Sequence, residues 1–212
     1  MVKKKWVASI LLAGLLFSGC GEQEPEMDGA LVEAAEALTS EVEVQKDGSI
    51  IETLVEDFSG DRYNEESLRT MVMAEVEDYN KGHEGTAVSL DKLEQKEESV
   101  TVRLKYPSAE AYSAYNTDGY NKMSLFCGTV EQAYAAGYSL DVTMQSAKGG
   151  EALGKAELME MDGLNILISK NPMRIKVDGR IEYVSGNVTV KGKDEALLVG
   201  GEAGATYYVL YK

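Results

Sequence analysis

His83 is the only histidine in the chain, so any site that needs an imidazole must use it. A Ser-His-Asp or Cys-His nucleophilic site requires a histidine as its base. His83 lies between Gly82 and Gly85, and glycine-flanked segments of this kind are typical of exposed loops. We therefore interpret His83 as a loop residue rather than as a catalytic base.

The chain has two cysteines, Cys20 and Cys127. One free cysteine and one histidine cannot supply the four ligands of a usual zinc site. Cys127 ends the largely apolar run from Met123 to Phe126, and no neighbour in the sequence would lower its pKa. We interpret Cys127 as a small buried hydrophobe, with a reactive nucleophile as the alternative.

The segment from Asn116 to Asn121 resembles the middle of a calcium-binding loop. In that frame Ala114 occupies the first ligand position and Leu125 the twelfth, where a bidentate glutamate is needed. The segment is therefore predicted to be a polar turn. With 36 acidic residues, a carboxylate pair of the kind that glycosidases use is also conceivable, but the sequence does not single one out.

No phosphate-binding, dinucleotide-binding or serine-nucleophile motif occurs in the chain. The sequence therefore predicts no cofactor, no metal and no catalytic residue.

Cys20 follows a segment with the three zones of a secretory signal. Lys3, Lys4 and Lys5 precede an apolar stretch from Trp6 to Phe17, which is too short to span a membrane. The exit Phe17-Ser18-Gly19-Cys20 resembles the lipobox of bacterial lipoproteins, although Phe17 replaces the usual leucine. The resemblance implies that signal peptidase II cuts before Cys20 and that its thiol carries diacylglycerol, which anchors the protein to the outer face of the cell membrane.

Removal of residues 1–19 would lower the formal net charge from −15 to −18. So negative a chain is unsuited to nucleic acid or to electrostatic binding of anionic lipid. The expected partners are the membrane, through the lipid on Cys20, and a protein, peptide or glycan ligand.

Three segments follow from this reading. Residues 1–19 form the signal peptide, and residues 20–40 form an acidic tether in which Asp28 is a candidate N-cap of a short helix over 29–38. Residues 41–212 are long enough for one domain with its own core.

The principal helix is predicted over residues 64–80. Asn64 is a suitable N-cap, and Glu65 and Glu66 complement the positive end of the helix dipole. The apolar residues share one helical face: Leu68, Met71, Val72, Val76 and Tyr79. Capping residues Ser108 and Thr129 predict two shorter helices.

Alternating apolar residues predict strands, most clearly from Val100 to Tyr106. Asp47-Gly48 and Asp178-Gly179 each predict a hairpin with a three-residue loop and a G1 bulge. The second loop would place Ile175 opposite Ile181. Because strands and helices do not alternate regularly, the predicted class is α+β, with a mainly antiparallel sheet and a C-terminal β-meander.

Tyrosine is abundant between residues 106 and 138 and again near the C-terminus. Core packing is the default interpretation, and an aromatic surface for sugars or peptides is the alternative.

Taken whole, the chain resembles the small acidic lipoproteins of Gram-positive, Clostridia-type bacteria. The resemblance rests on the lipobox, the acidic tether and the segment from Phe126 to Tyr134. It implies an extracytoplasmic location and a lipid on Cys20. We expect a non-catalytic binding module of the cell envelope, and the alternative is a carboxylate-dependent hydrolase of wall glycan.

The lipid anchor generates a direct prediction. Replacement Cys20→Ser removes the thiol that accepts diacylglycerol, so the variant should keep residues 1–19 and carry no lipid. Mass spectrometry of the N-terminal peptide from both proteins measures this. A wild-type N-terminus that is unlipidated and begins elsewhere than at Cys20 would contradict the prediction.

Overall fold

A computed structural model describes residues 40–59, 64–83, 87–117, 122–202 and 204–212. The predicted signal peptide, Cys20 and the acidic tether up to residue 39 lie outside these residues, whereas Ser40, predicted to end the tether, begins the first strand.

Twelve strands and four helices make up the described chain. In chain order they are β1 (Ser40–Val44), β2 (Ile50–Asp57), α1 (Glu65–Lys81), β3 (Ser89–Lys96), β4 (Ser99–Tyr106), α2 (Ala109–Tyr115), β5 (Leu125–Thr129), α3 (Val130–Ala135), β6 (Met144–Ser146), α4 (Lys155–Met159), β7 (Asn165–Ser169), β8 (Met173–Val177), β9 (Ile181–Ser185), β10 (Val188–Val190), β11 (Glu195–Leu198) and β12 (Tyr207–Tyr211).

The strands form two sheets. The seven-stranded sheet has the order β10-β11-β8-β1-β2-β4-β3, and the five-stranded sheet has the order β5-β7-β12-β9-β6. Only β1 and β8 pair in parallel, and all other named pairs are antiparallel. The C-terminal strands follow one another in meander-like order, so the predicted α+β class is confirmed.

The main core lies between the two sheets. Val42 and Ile175 of the seven-stranded sheet share one apolar cluster with Leu167 and Val209 of the five-stranded sheet. Side chains alternate in direction along β7 and β12, so every second residue of these strands lies on the opposite face of the five-stranded sheet. There they form a second cluster with α3 and α4, so the domain has three layers where these helices cover the smaller sheet.

Helix α1 confirms the predicted helix and packs on β3. The Asn64 side chain accepts a 3.0 Å hydrogen bond from the Ser67 backbone N–H, which caps the first turn. Leu68, Val72 and Val76 are buried in the main core, whereas Met71 of the predicted face is 39% exposed.

The first Asp-Gly hairpin also has the predicted form. Val44 pairs with Ile50, the loop is Lys46-Asp47-Gly48, and Gly48 has φ = 80°. The pairing of β3 with β4 shifts in register between Leu90 and Lys92, which marks a bulge or irregularity in β3.

The prediction of a hairpin at Asp178-Gly179 is wrong. Strand β8 pairs with β1 and β11, whereas β9 pairs with β12 and β6, so Ile175 and Ile181 do not pair. The chain crosses from one sheet to the other at residues 178–180. Alternation correctly marked the buried face of β8, but in β9 Ile181 lies in the main core whereas Tyr183 packs against the second cluster. Two sheets that share one core can each bury an alternating strand, so alternation does not assign a strand to one of them.

Leu140, Val142 and Met144 alternate in the sequence as in a strand, but the strand begins only at Met144, although Leu140 is buried. Its side chain belongs to the cluster beneath α3 and α4. Burial of an irregular segment therefore produced the alternation that indicated a longer strand.

Gly179 is a position where a side chain is expected to destabilise the fold. Its φ is 142°, and a Cβ atom there would collide with the backbone carbonyl of Lys212. Gly179→Val should therefore lower the free energy of unfolding by more than the roughly 1–2 kcal/mol that a left-handed conformation costs a non-glycine residue.

The matched control is Gly48→Val, because Gly48 also has positive φ but has no atom near its missing Cβ. Urea unfolding gives the free energy of unfolding of both variants. Gly48→Val reports the cost of backbone strain alone, and Gly179→Val reports strain together with the collision. Equal losses in the two variants would show that the contact with Lys212 does not constrain position 179.

Candidate functional site

His83 lies just beyond α1 and is exposed, as the sequence predicts. Its ring stacks on Tyr79 with centroids 3.9 Å apart, and its Nδ1 atom is 2.8 Å from the Tyr79 carbonyl oxygen. These contacts explain the position of His83 as a packing residue at the end of the helix.

Cys127 lies in β5, partly buried against the core between the sheets. Burial, reinforced by the charge of Glu110, raises the pKa of the Cys127 thiol to about 12. Because the thiolate is the nucleophilic form, this environment favours the interpretation of Cys127 as a small apolar residue.

Glu52 is a buried carboxyl that the sequence analysis missed. It is 6% exposed and faces the main core from β2. Its Oε2 atom accepts hydrogen bonds from the Tyr106 hydroxyl at 2.6 Å and the Asn116 amide at 3.3 Å. Burial raises the pKa of Glu52, and these hydrogen bonds offset part of the rise. The available signal was its position two residues from Ile50, on the same strand face.

Tyrosine side chains surround this carboxyl. The Tyr106 ring makes edge contacts with Tyr112 at 5.3 Å and Tyr115 at 5.6 Å, and Tyr115 contacts Tyr79 at 5.0 Å. Burial, followed by the nearby charge of Glu52, raises the pKa of Tyr106 and Tyr112. The default interpretation of the tyrosines as core residues is therefore confirmed for this group.

The segment from Asn116 to Asn121, which resembles the middle of a calcium loop, is only partly described by the structure. Ala114 lies in α2, Leu125 is buried at the start of β5, and Asn116 is 5% exposed and bonded to Glu52. Residues 118–121 lie outside the described residues. Asn116 lies in a bend after α2 and its amide hydrogen-bonds to a buried carboxyl, while the predicted polar turn itself falls mostly on residues that the structure does not describe.

The candidate binding site is a trough at one end of the two sheets. Two adjoining cavities, each of about 430 Å³, share five lining residues and together form this trough. The shared residues are Val44, Gln45, Lys46, Asp178 and Gly179. Because β1 and β8 are parallel and Val44 pairs with Val177, both strands end at the same edge of the sheet and open the trough there.

The first cavity, which we term the charged compartment, has three cationic and three acidic lining residues. The cations are Lys46, Lys176 and Lys193, and the acids are Glu43, Asp178 and Asp194. This balance contrasts with the chain as a whole, whose formal net charge is −15. The compartment therefore offers partners for both signs of charge.

The second cavity, which we term the neutral compartment, is bounded by the uncharged residues Gly48, Cys127, Gly128, Asn165 and Tyr211 in addition to the shared residues, of which Lys46 and Asp178 carry charge. Cys127 and Tyr211 pack against the main core. Burial raises the pKa of Tyr211, so its phenol stays neutral. This half of the trough suits an uncharged group.

Backbone hydrogen bonds fix the trough walls. The Asp178 N–H donates to the Val44 carbonyl at 3.0 Å, and Arg180 and Lys212 exchange two bonds of 2.9 Å. In the loop between β1 and β2, the Asp47 carboxylate accepts hydrogen bonds from the Ser49 N–H at 3.0 Å and from the Ser49 hydroxyl at 2.6 Å. A site whose backbone is already held in place loses little entropy on binding.

Within the described residues, no group of three or more histidine, cysteine or acidic side chains is arranged to hold a metal ion. No helix of the described chain is both long enough and apolar enough to cross a membrane.

The fold and the trough thus define a two-sheet α+β domain with an open, polar-lined depression at one end. Comparison of the chain with models of protein families, with curated proteins and with solved structures gave no match.

The buried carboxyl generates a pH prediction. Because the pKa of Glu52 is raised in the folded state, the unfolded chain releases this proton at lower pH than the folded chain does. The stability associated with Glu52 is therefore fully present below the unfolded pKa of about 4.3 and falls as pH rises towards the folded pKa. Glu52→Gln should remove that fall, so its free energy of unfolding relative to wild type should increase between pH 4 and pH 7.5.

Urea unfolding at both pH values measures the difference, and Glu98→Gln serves as control because Glu98 is exposed in the β3–β4 turn. A relative stability of Glu52→Gln that is constant with pH would show that the carboxyl titrates alike in both states.

Proposed function

We propose that this protein is a lipid-anchored module of the cell envelope that binds a ligand in the trough without catalysing a reaction. The trough is the observation that carries the proposal, because it combines a volume suited to a small ligand with fixed walls and converging polar groups. The anchor on Cys20 rests on the lipobox resemblance and is part of the same proposal.

The position of the trough suits a tethered protein. Strand β1 starts at Ser40, where the tether would join the domain, and ends at Val44 on the trough edge. Five residues of strand span roughly 16 Å. The attachment point and the trough therefore lie at opposite ends of β1, and a protein held at its N-terminal side would keep the trough open to the envelope.

The carboxyl groups favour binding over acid catalysis. A glycan hydrolase needs a protonated acid that reaches its substrate. Burial raises the pKa of Glu41 and Glu52, but neither residue lines the trough cavities. Glu52 is instead enclosed by Tyr106 and Asn116.

Amide chemical shifts of the ¹⁵N-labelled full-length chain in detergent micelles test where ligands bind. We expect at least one probe from a set of short capped peptides and N-acetylglucosamine disaccharide to shift amides saturably at residues 45–49, 176–180 and 193–194. Shifts that cluster on α1 or α3, or no saturable shift with any probe, would contradict the proposal.

Hydrolysis is monitored in the same samples. Cleavage of the disaccharide that is lost in an acidic-residue variant would favour the hydrolase alternative. An unchanged disaccharide together with saturable shifts at the trough is the result that the binding proposal expects.

A further inference from the structure

We infer that the ligand class of the trough is a short peptide that carries both an acidic and a basic group next to an uncharged side chain. This inference rests on the proposed function and specifies the ligand of the same site.

The charge pattern of the charged compartment is the first argument. A purely anionic ligand would approach three lysines but also Glu43, Asp178 and Asp194, and a purely cationic ligand would meet the reverse arrangement. Like charges at contact distance repel, so each single-sign ligand loses much of what it gains. A ligand with both signs pairs with both sets.

The absence of internal pairing is the second argument. Elsewhere in the described chain, lysines form salt bridges with glutamates, as in Lys81–Glu77 at 3.1 Å and Lys92–Glu94 at 2.7 Å. None of the salt bridges between described residues includes Lys46, Lys176 or Lys193, or an acidic residue of the trough. Glu43 accepts a 3.1 Å hydrogen bond from Gln45, and Lys176 lies opposite Glu43 and Glu195 in the strand register, so these charges are partly balanced, but none is held by another described residue in a salt bridge that a ligand would have to break.

The neutral compartment supplies the third argument. It adjoins the charged compartment across Lys46 and Asp178, and its further lining residues, which include Cys127, Asn165 and Tyr211, carry no formal charge. A ligand that fills both compartments must therefore place an uncharged side chain beside its charged groups.

A peptide meets these requirements better than a glycan. A neutral sugar offers hydroxyl groups but no charge to pair with the lysines or the aspartates. Adjacent residues of a peptide can carry an ammonium, a carboxylate and an uncharged side chain within a few ångströms. A peptide can therefore contact both the charged compartment and the neutral compartment of the trough.

Calorimetric titration of the full-length chain in detergent micelles tests this with tripeptides acetylated and amidated at their ends. The probes are Lys-Leu-Glu, Glu-Leu-Glu, Lys-Leu-Lys, Gln-Leu-Gln and Lys-Gly-Glu. Lys-Leu-Glu should bind about tenfold or more tightly than each of the others, and its affinity should fall as salt is added.

Two double variants assign the effect to the trough. Lys176→Gln with Lys193→Gln, and Asp178→Asn with Asp194→Asn, should each weaken Lys-Leu-Glu binding about tenfold. The charge-matched controls are Lys155→Gln with Lys170→Gln, and Asp141→Asn with Asp162→Asn. All four control residues are exposed and line neither cavity, so these variants should bind as wild type does.

Circular dichroism checks that each variant folds, and the panel of peptides on the wild-type chain decides the question by itself if one variant does not. A single-sign or neutral peptide that binds as tightly as Lys-Leu-Glu overturns the inference while leaving the trough as a binding site. Trough binding by the disaccharide but by none of the peptides overturns the inference alone. Absence of trough binding by every peptide and by the disaccharide overturns both the inference and the proposed function.

Discussion

The parallel pairing of β1 with β8 is the contact on which the rest of the domain depends. It joins a unit of β1 to β4 with a unit of β8, β10 and β11, which would otherwise be separate antiparallel ribbons. More than 120 residues lie between the two strands, so the pair closes a long loop and must be supported by core packing. The buried faces of Val42 and Ile175 supply that support against the five-stranded sheet.

The same pairing creates the trough. Because parallel strands end at one edge, Val44 and Val177 finish side by side, and the chain must turn there into a different sheet. Residues 178–180 make this crossing, held by the bond from Asp178 to Val44 and by the bonds between Arg180 and Lys212. Polar turns of both sheets therefore converge around a cavity, which the ends of the paired strands also line.

Glu52 shows how the core accommodates a polar group. Its carboxyl lies beneath α2, where hydrogen bonds from Tyr106 and Asn116 replace those that water would provide. A buried carboxyl without such donors would cost several kcal/mol, on the order of 1–3 or more. Tyr106, Tyr112 and Tyr115 thus enclose this group instead of forming a binding surface, and the trough is the better candidate for ligand binding.

Local features were predictable from the sequence because neighbouring residues set them. The cap at Asn64, the face of α1, the loop at Asp47-Gly48 and the helix that starts after Thr129 follow from side chains within a few positions. The lipobox resemblance at Cys20 is local in the same sense and stays a prediction. Only the tertiary structure decided which sheet receives β8 and β9, since either sheet buries an alternating strand. It also decided the burial of Glu52 and the meeting of Lys46, Lys176 and Lys193, because these residues are distant in sequence and are brought together by the β1–β8 pair.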